Sequence, residues 1–269
     1  MVRSTDGIAR ASGVKLRGVR VSRKGTPLSN GASETFDCAK RLARQALPQR
    51  CELCVARSGC ELLCAACVAD LPRLSGACPV CALPAPSGAV CGGCIARPPP
   101  WSRAVAALVY AFPVDRLLQQ LKYGGRLALA DWAGTTLAEA VRTSIASRPA
   151  AARPDRVVAL PLAPSRQRER GFNQAREIAA RVARAVGLPL VAPLERIAGA
   201  TPQAALAWKE RANNVRGAFA VNGDVRGARI ALVDDVMTTG ATLAEASRTL
   251  TRAGATDVEC WVVARTLRA

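Results

Sequence analysis

The chain has 269 residues, 50% of them hydrophobic, and carries a formal net charge of +18 with no histidine. A chain of this size can bury a core, most simply as one large α/β domain with a small appended one. The absence of histidine excludes His-dependent catalytic triads and mixed cysteine-histidine zinc sites, and the positive charge favours an anionic partner.

The hydrophobic residues do not form a membrane segment. The longest apolar run, Ala104 to Phe112, is closed by Pro113 and is too short to cross a bilayer. No charged-then-apolar signal segment opens the chain, so we predict a cytoplasmic protein without a membrane span. In that reducing compartment, the 11 cysteines indicate metal or redox chemistry rather than a disulfide framework.

The first part of the chain is strongly basic. Residues 1–50 hold 11 Lys or Arg residues against three acids, a balance of +8, and show little periodicity before Glu34. We predict a basic, disordered extension over residues 1–47. It is a solvated tail, the product of a misassigned start codon, or an electrostatic arm that binds nucleic acid.

A cysteine module is predicted over residues 48–97. Its four Cys-x-x-Cys knuckles comprise Cys51 and Cys54, Cys64 and Cys67, Cys78 and Cys81, and Cys91 and Cys94. Each knuckle can present two thiolates to a tetrahedral zinc ion, which predicts one or two structural zinc sites. Sequential and interleaved pairing of the knuckles are both open. A buried-cysteine core, an iron-sulfur centre and a redox pair are the alternatives.

The second predicted domain, residues 101–269, begins after a Pro-rich stretch. A strand is predicted over 104–112, a short amphipathic helix over 115–121 and a longer helix over 127–141. Between the helices, Lys122 precedes Tyr123 and two glycines. A loop there could bring Lys122 to a phosphate, although a plain turn between helices explains the same residues.

An arginine-rich segment follows the next predicted strand, residues 157–160. Arg166, Arg168 and Arg170 are expected on a loop at the carboxyl end of that strand, before a helix over 175–186. Guanidinium groups match phosphate oxygens bidentately, so the loop is a candidate diphosphate site, the alternative being a solvated turn. The polar segment from 201 to 219 is either a lid or a helical excursion.

The most informative segment runs from Ile230 to Leu243. A buried strand is predicted to end at Asp234 and Asp235, and a helix is predicted to begin near Ala241. Five small residues lie between that strand and the first turn of the helix: Thr238, Thr239, Gly240, Ala241 and Thr242. Backbone N–H groups and hydroxyls there can converge on a phosphate, whereas an ordinary capped helix would explain each residue separately. Carboxylates beside a phosphate cradle suit a sugar phosphate.

This segment resembles the 5-phosphoribosyl 1-pyrophosphate (PRPP) motif of type I phosphoribosyltransferases. The order of all the parts, from cysteine knuckles through Leu-Lys-Tyr-Gly-Gly-Arg and Arg-Glu-Arg-Gly-Phe-Asn-Gln-Ala to Val-Asp-Asp-Val-Met-Thr-Thr-Gly-Ala-Thr, resembles the ComF family of competence-associated proteins. The resemblance covers residues 51 to 268. It implies a type I phosphoribosyltransferase fold, α/β with a central, mainly parallel sheet, preceded by a small zinc-ribbon-like cysteine module.

The resemblance also implies a function. PRPP would bind with Mg²⁺ at residues 238–242, Asp234 and Asp235 would orient the ribose, and Arg166, Arg168 and Arg170 would neutralise the diphosphate. The implied role is handling of imported single-stranded DNA in natural transformation, with a competence helicase or recombination proteins as partners.

Two hypotheses follow from these implications. The protein is either a phosphoribosyltransferase with an unidentified acceptor or a zinc-dependent single-stranded nucleic-acid adaptor with a non-catalytic pocket. A salvage enzyme is disfavoured, because it has no evident use for four cysteine knuckles.

Overall fold

The structure is a computed structural model that describes residues 49–197 and 217–267. These residues lie in one compact unit, residues 44–269. The predicted basic extension, residues 1–47, lies outside the described residues, as does most of the polar segment predicted to be a lid or a helical excursion. The predicted boundaries of the extension, the cysteine module and the second domain stay predictions.

Five parallel strands form the central sheet. The described strands are β1 (Gln49–Arg50), β2 (Arg57–Gly59), β3 (Arg103–Val109), β4 (Arg156–Ala159), β5 (Leu190–Val191), β6 (Leu194–Arg196), β7 (Phe219–Val221), β8 (Arg229–Met237) and β9 (Asp257–Arg265). The sheet has the order β3-β9-β8-β4-β5, and every neighbouring pair is parallel. Six of the nine residues in each of strands β8 and β9 are apolar, as expected for strands buried on both faces. The predicted α/β fold with a parallel sheet is confirmed.

Helices cover both faces of this sheet. The described helices are α1 (Ala65–Ala69), α2 (Gly92–Ala96), α3 (Val114–Tyr123), α4 (Ala128–Ala146), α5 (Pro164–Arg170), α6 (Gln174–Val186) and α7 (Ala241–Arg252). On one face, Leu137 of α4 and Ile178 of α6 share a core cluster with Val233 of β8. On the other face, Leu250 of α7 clusters with Leu232. Neighbouring residues of a strand point to opposite faces, so Leu232 and Val233 fill different halves of the core.

Strand β8 is longer than predicted. The sequence places its end at Asp234 and Asp235, but the strand continues to Met237 because it remains paired with β9 as far as Arg265. The two acids therefore lie within a strand, and the turn comes after them. Helix α7 begins at Ala241, where the sequence predicts it.

Two segments predicted as loops are helical. Arg166, Arg168 and Arg170 lie on helix α5. This helix begins at Pro164, whose fixed backbone angle suits a first helical turn. Lys122 lies in the last turn of α3, and the turn between helices begins only after Tyr123. Both basic groups are therefore held on regular backbone.

The cysteine module covers the free edge of the sheet at β3. Leu63 and Leu71 are buried in the same cluster as Leu108 of β3. The backbone N–H of Val109 donates to the carbonyl of Pro72 over 2.7 Å. An edge strand exposes unpaired backbone groups, and the module removes part of that exposure from β3.

Within residues 49–197 and 217–267, no helix has both the length and the apolar character needed to cross a membrane. The longest of them, α4, has 19 residues and carries Asp131, Glu139 and Arg142. The cytoplasmic location predicted from the sequence stays a prediction.

The close approach of α4 and α6 at Gly134 can be tested. A Cβ atom at this position would lie 2.5 Å from Cβ of Arg181 and 3.2 Å from the carbonyl oxygen of Ile178. We expect Gly134→Ala to lower the free energy of unfolding by about 1–3 kcal/mol, because the helices must move apart despite the gain in helix propensity. Urea denaturation measures the change. Glu139→Ala, at an exposed position of the same helix, is the control, and equal stability of the two variants would contradict the packing.

Candidate functional site

The turn after β8 forms a small pocket at the carboxyl edge of the sheet. We call residues Thr238–Thr242 the phosphate loop. Asp234 and all five loop residues line this one pocket. Gly240, with a φ of 79°, is the N-cap of α7, and the N–H of Ala241 donates to Oγ1 of Thr239 over 3.2 Å. A carboxylate, hydroxyls and a helix N-terminus therefore meet in one place, an arrangement suited to a phosphorylated ligand with free hydroxyls.

Asp235 follows Asp234 on β8, and the side chains of the two acids are close enough to interact directly. Asp235 is 4% exposed, and its Oδ2 lies 2.5 Å from Nζ of Lys122 at the end of α3. Burial acts to lower the pKa of Lys122, but the charges of Asp235 and Asp234 outweigh it and raise that pKa. The sequence suggested that Lys122 reaches a phosphate; in the structure it is the ion-pair partner of Asp235.

The two carboxylates also affect each other. Burial and the negative charge of Asp235 raise the pKa of Asp234 well above its usual range, and the charge of Lys122 opposes that rise. The backbone N–H of Asp235 donates to Oδ1 of Asp234 over 2.8 Å. Asp234 can therefore retain a proton at a pH where an isolated aspartate would be ionised, and can then donate as well as accept a hydrogen bond.

Helix α5 brings arginines to the same edge. Strands β4 and β8 are neighbours, with Ala159 opposite Val233, so the segment that leaves β4 starts beside the strand that carries the acids. Arg170 is half-buried, with its Cζ 4.8 Å from the ring centroid of Tyr123 and its Nη1 donating to Gln174 over 3.1 Å. The remaining two arginines of α5, at positions 166 and 168, are exposed.

Arg196 is a basic residue near the site that the sequence analysis missed. It lies on β6, which pairs with β7 in a separate two-stranded antiparallel sheet, and its Cζ is 5.5 Å from the ring centroid of Phe219. Burial and the positive charge of Arg166 lower the pKa of Arg196, and the charge of Asp234 opposes this. Arg196 thus lies within electrostatic range of both an arginine of α5 and the pocket carboxylate. Its local sequence contains no motif that could have identified it.

The eight knuckle cysteines form two separate clusters. The first cysteine cluster is Cys51, Cys54, Cys64 and Cys67, and the second cysteine cluster is Cys78, Cys81, Cys91 and Cys94. Within each cluster the Sγ atoms all lie within 4.8 Å of one another. The knuckles are thus paired sequentially, which resolves the alternative that the sequence left open.

The geometry of both clusters fits a tetrahedral metal ion. One sulfur pair in each cluster, Cys54 with Cys64 and Cys81 with Cys91, is separated by 3.6 Å. Tetrahedral zinc with bonds of about 2.3 Å would separate its sulfurs by about 3.8 Å. Burial acts to raise the pKa of Cys78, but nearby backbone N–H groups outweigh it and lower that pKa to about 6. Four-thiolate donor sets of this kind could hold zinc ions.

Comparisons with known proteins agree with this architecture. Residues 169–268 match the family model of the phosphoribosyl transferase domain. DNA utilization protein YhgH of Salmonella typhimurium is 34% identical over 207 residues, which are 76% of this chain and 91% of that protein. The protein of the same name from Escherichia coli is 35% identical over 71% of this chain and 84% of its own. Competence protein F of Haemophilus influenzae is 30% identical over 65% of this chain and 78% of its own.

The ion pair between Lys122 and Asp235 leads to a pH-dependent prediction. In Lys122→Met, the pKa of Asp234 should rise further, because the charge of Lys122 lowers it in the wild type. A carboxyl group whose pKa is raised by folding favours the folded state at low pH and disfavours it as the pH rises through that pKa. We therefore expect a loss of about 3 kcal/mol in unfolding free energy near pH 8 and a smaller loss near about pH 5.

Denaturant unfolding at the two pH values measures this difference. Arg116→Met removes a positive charge from an exposed position of the same helix and is the control. A loss in Lys122→Met that is the same at both pH values, or no larger than in the control, would contradict the proposed electrostatics.

Proposed function

This chain belongs to the ComF family of phosphoribosyltransferase-like proteins, and from that premise we propose that it binds PRPP at the phosphate loop. The observation that carries the proposal is the single pocket lined by Asp234 and by Thr238 to Thr242. PRPP presents a phosphate, two ribose hydroxyls and a diphosphate, and the groups around this pocket match each of them.

The phosphate loop would hold the 5′-phosphate. Its threonine hydroxyls can donate to phosphate oxygens, and the N-terminus of α7 supplies N–H groups and the positive end of the helix dipole. The backbone of Gly240 supports this assignment. Its φ of 79° is a conformation that residues with a side chain disfavour, and this conformation directs the chain into α7 immediately after Thr238 and Thr239. The pocket is small, which suits a phosphate group rather than a base.

The two acids would act differently. Asp234 lines the pocket and would bind the ribose hydroxyls, while Asp235, buried beside Lys122, would hold that lysine and its positive charge near the site. Arg166, Arg168 and Arg170 would bind the diphosphate from helix α5, since guanidinium groups pair well with phosphate oxygens. Mg²⁺ arriving with PRPP would neutralise diphosphate charge, and the carboxylate oxygens of Asp234 are a donor type that suits it.

We propose that the chemistry is transfer of the phosphoribosyl group. An acceptor nucleophile would attack the anomeric carbon of ribose as the bond from that carbon to the pyrophosphate oxygen breaks, and pyrophosphate would leave with the bonding electrons. Asp234, which lines the pocket, would favour the positive charge that develops on the ribose. The cations of α5 would stabilise the negative charge that develops on the leaving group.

The two cysteine clusters would each hold one structural zinc ion. Sulfur contacts of 3.6 Å and the closed four-thiolate donor sets support this assignment. A closed set of four protein ligands leaves no position for substrate, so these ions would stabilise the fold rather than take part in the reaction.

A second candidate function is that of a single-stranded nucleic-acid adaptor with a non-catalytic pocket. The net charge of +18 and the exposed arginines at positions 166 and 168 favour an anionic polymer. The names of the relatives, which refer to DNA utilization and to competence, also point to DNA. A competence helicase or recombination protein as a further partner stays a prediction.

PRPP binding can be tested by calorimetric titration of the zinc-loaded protein with PRPP and Mg²⁺. We expect saturable binding that Asp234→Asn weakens about tenfold to about a hundredfold, because a hydrogen bond to a charged group is lost. Asp257→Asn makes the same change at the amino end of the neighbouring strand β9, away from the pocket, and should leave the affinity for PRPP unchanged. Absence of binding in a folded wild type would rule out PRPP as the ligand.

The adaptor function predicts binding of single-stranded DNA that weakens with salt. Replacing Arg166 and Arg168 by Ala should reduce the slope of log affinity against log salt by about 1.4, if each contacts one phosphate. The same double replacement at exposed Arg116 and Arg176 is the control. Fluorescence anisotropy with an oligonucleotide measures both slopes, and identical slopes would exclude α5 as the DNA contact.

A further inference from the structure

The second cysteine cluster is connected to the phosphate loop by the hydrogen bonds of a buried arginine. Arg265, at the end of β9, is 3% exposed and bridges the two sites. Its Nε donates to the carbonyl of Cys81 over 2.9 Å, and its Nη1 donates to the carbonyl of Met237 over 2.8 Å and to that of Thr238. One planar guanidinium therefore fixes a metal-binding knuckle relative to the first residue of the loop.

Trp101 forms a second bridge. Its indole Nε1 donates to the carbonyl of Val80, in the same knuckle, over 2.6 Å. The other end of its ring lies against Gly240, where a Cβ atom would be only 2.9 Å from Cη2 of the tryptophan. The indole thus fixes the position of the loop glycine and is itself fixed by the knuckle.

The knuckle is held by three successive carbonyl groups. Besides the carbonyls of Val80 and Cys81, that of Pro79 accepts the N–H of Ala104 in β3 over 2.9 Å. The direction of these carbonyls depends on the turn between Cys78 and Cys81, whose two sulfurs belong to the same donor set. A metal ion that fixes this turn also fixes the acceptors for both bridging side chains.

The first cysteine cluster is attached elsewhere. Arg126, just before α4, forms an ion pair with Glu52 in the first knuckle. Leu53, in the same knuckle, packs against the core cluster that contains α4 and α6. These described contacts lead to the face of the sheet that carries α4 and α6 and not to the phosphate loop, so the first cysteine cluster provides an internal control.

We propose that metal in the second cysteine cluster sets the geometry of the phosphate loop, and that Arg265 and Trp101 are the positioning residues that couple the two sites. The ligand side of this coupling rests on the proposed function, because it assumes that PRPP binds the loop. Coupling of this kind is reciprocal: zinc in the second cluster raises PRPP affinity, and PRPP raises zinc affinity by the same factor.

The first test needs no PRPP. Hydrogen exchange of the loop amides is followed by mass spectrometry in full-length Cys91→Ser and Cys64→Ser. The two variants change corresponding cysteines of the second and first clusters. We expect Cys91→Ser to accelerate exchange at the phosphate loop by about 5-fold to 150-fold, the usual range of coupling between sites, and Cys64→Ser to leave it unchanged. Equal exchange of the loop in both variants would overturn the proposal.

The bridging residues are tested with every cysteine retained. Trp101→Phe deletes the donor to Val80 and withdraws the end of the ring that lies against Gly240, and Arg265→Lys keeps the charge but cannot span the same carbonyls. Both should accelerate loop exchange while two zinc ions per chain remain bound. If hydrogen exchange of the phosphate loop is unchanged in both variants, Trp101 and Arg265 do not couple the second cysteine cluster to the loop.

The reciprocal test measures zinc affinity by competition with a chromophoric chelator, with and without PRPP and Mg²⁺. PRPP should tighten one of the two zinc sites in the wild type, and the effect should shrink in Trp101→Phe. If PRPP binds but leaves both zinc affinities unchanged, the coupling is wrong. If PRPP does not bind, the proposed function fails, whereas the exchange experiment still decides whether the cluster positions the loop.

Discussion

The buried guanidinium of Arg265 is the contact on which the arrangement of this site depends. The chain must leave β8 and enter α7 within three residues, which turns the carbonyls of Met237 and Thr238 towards the interior. A buried carbonyl without a donor is costly. Arg265 donates to both of these, beside the backbone N–H of Thr266 at Met237, while also holding a carbonyl of the cysteine module. The pocket beside this turn is lined by all five residues of the phosphate loop. The interior hydrogen bonds and the capacity to bind an anion are two consequences of the same turn.

Electrostatics complete the site around that turn. Adjacent acids repel each other in a buried strand, and the charge of Lys122, paired with Asp235, offsets part of that repulsion, while Asp234 lines the pocket. Burial and the remaining repulsion raise the pKa of Asp234. Across the sheet edge, Arg166 and Arg196 are close enough for the charge of one to lower the pKa of the other. Two mutually repelling cations near a carboxylate are stabilised when a polyanion binds between them, which is what a diphosphate would do.

The sequence was sufficient where the signal is local. The apolar run of β8, the acids and the small residues before Ala241 are consecutive, so the strand, the loop and the helix start could be predicted together. Arg166, Arg168 and Arg170 were expected on a loop because they lie between a predicted strand and a predicted helix, but Pro164 starts a short helix there. Lys122 was placed on a loop because two glycines follow it, although helix α3 ends only after Tyr123. In both cases the predicted backbone was wrong, and the predicted phosphate contacts stay predictions.

Long-range contacts were beyond reach of the sequence. Arg265 and Cys81 are 184 positions apart, and nothing near either residue indicates the other. Sequential pairing of the knuckles likewise depends on how the module folds against β3, and Arg196 is brought to the pocket only by the folding of the chain around it.

The measurement that tests the central claim most directly is a crystal structure of the zinc-loaded protein grown with PRPP and Mg²⁺. We expect the 5′-phosphate within hydrogen-bond distance of the N–H groups of the phosphate loop, the ribose hydroxyls on Asp234, and metal in both cysteine clusters. An empty loop at saturating PRPP, or PRPP bound elsewhere, would contradict it.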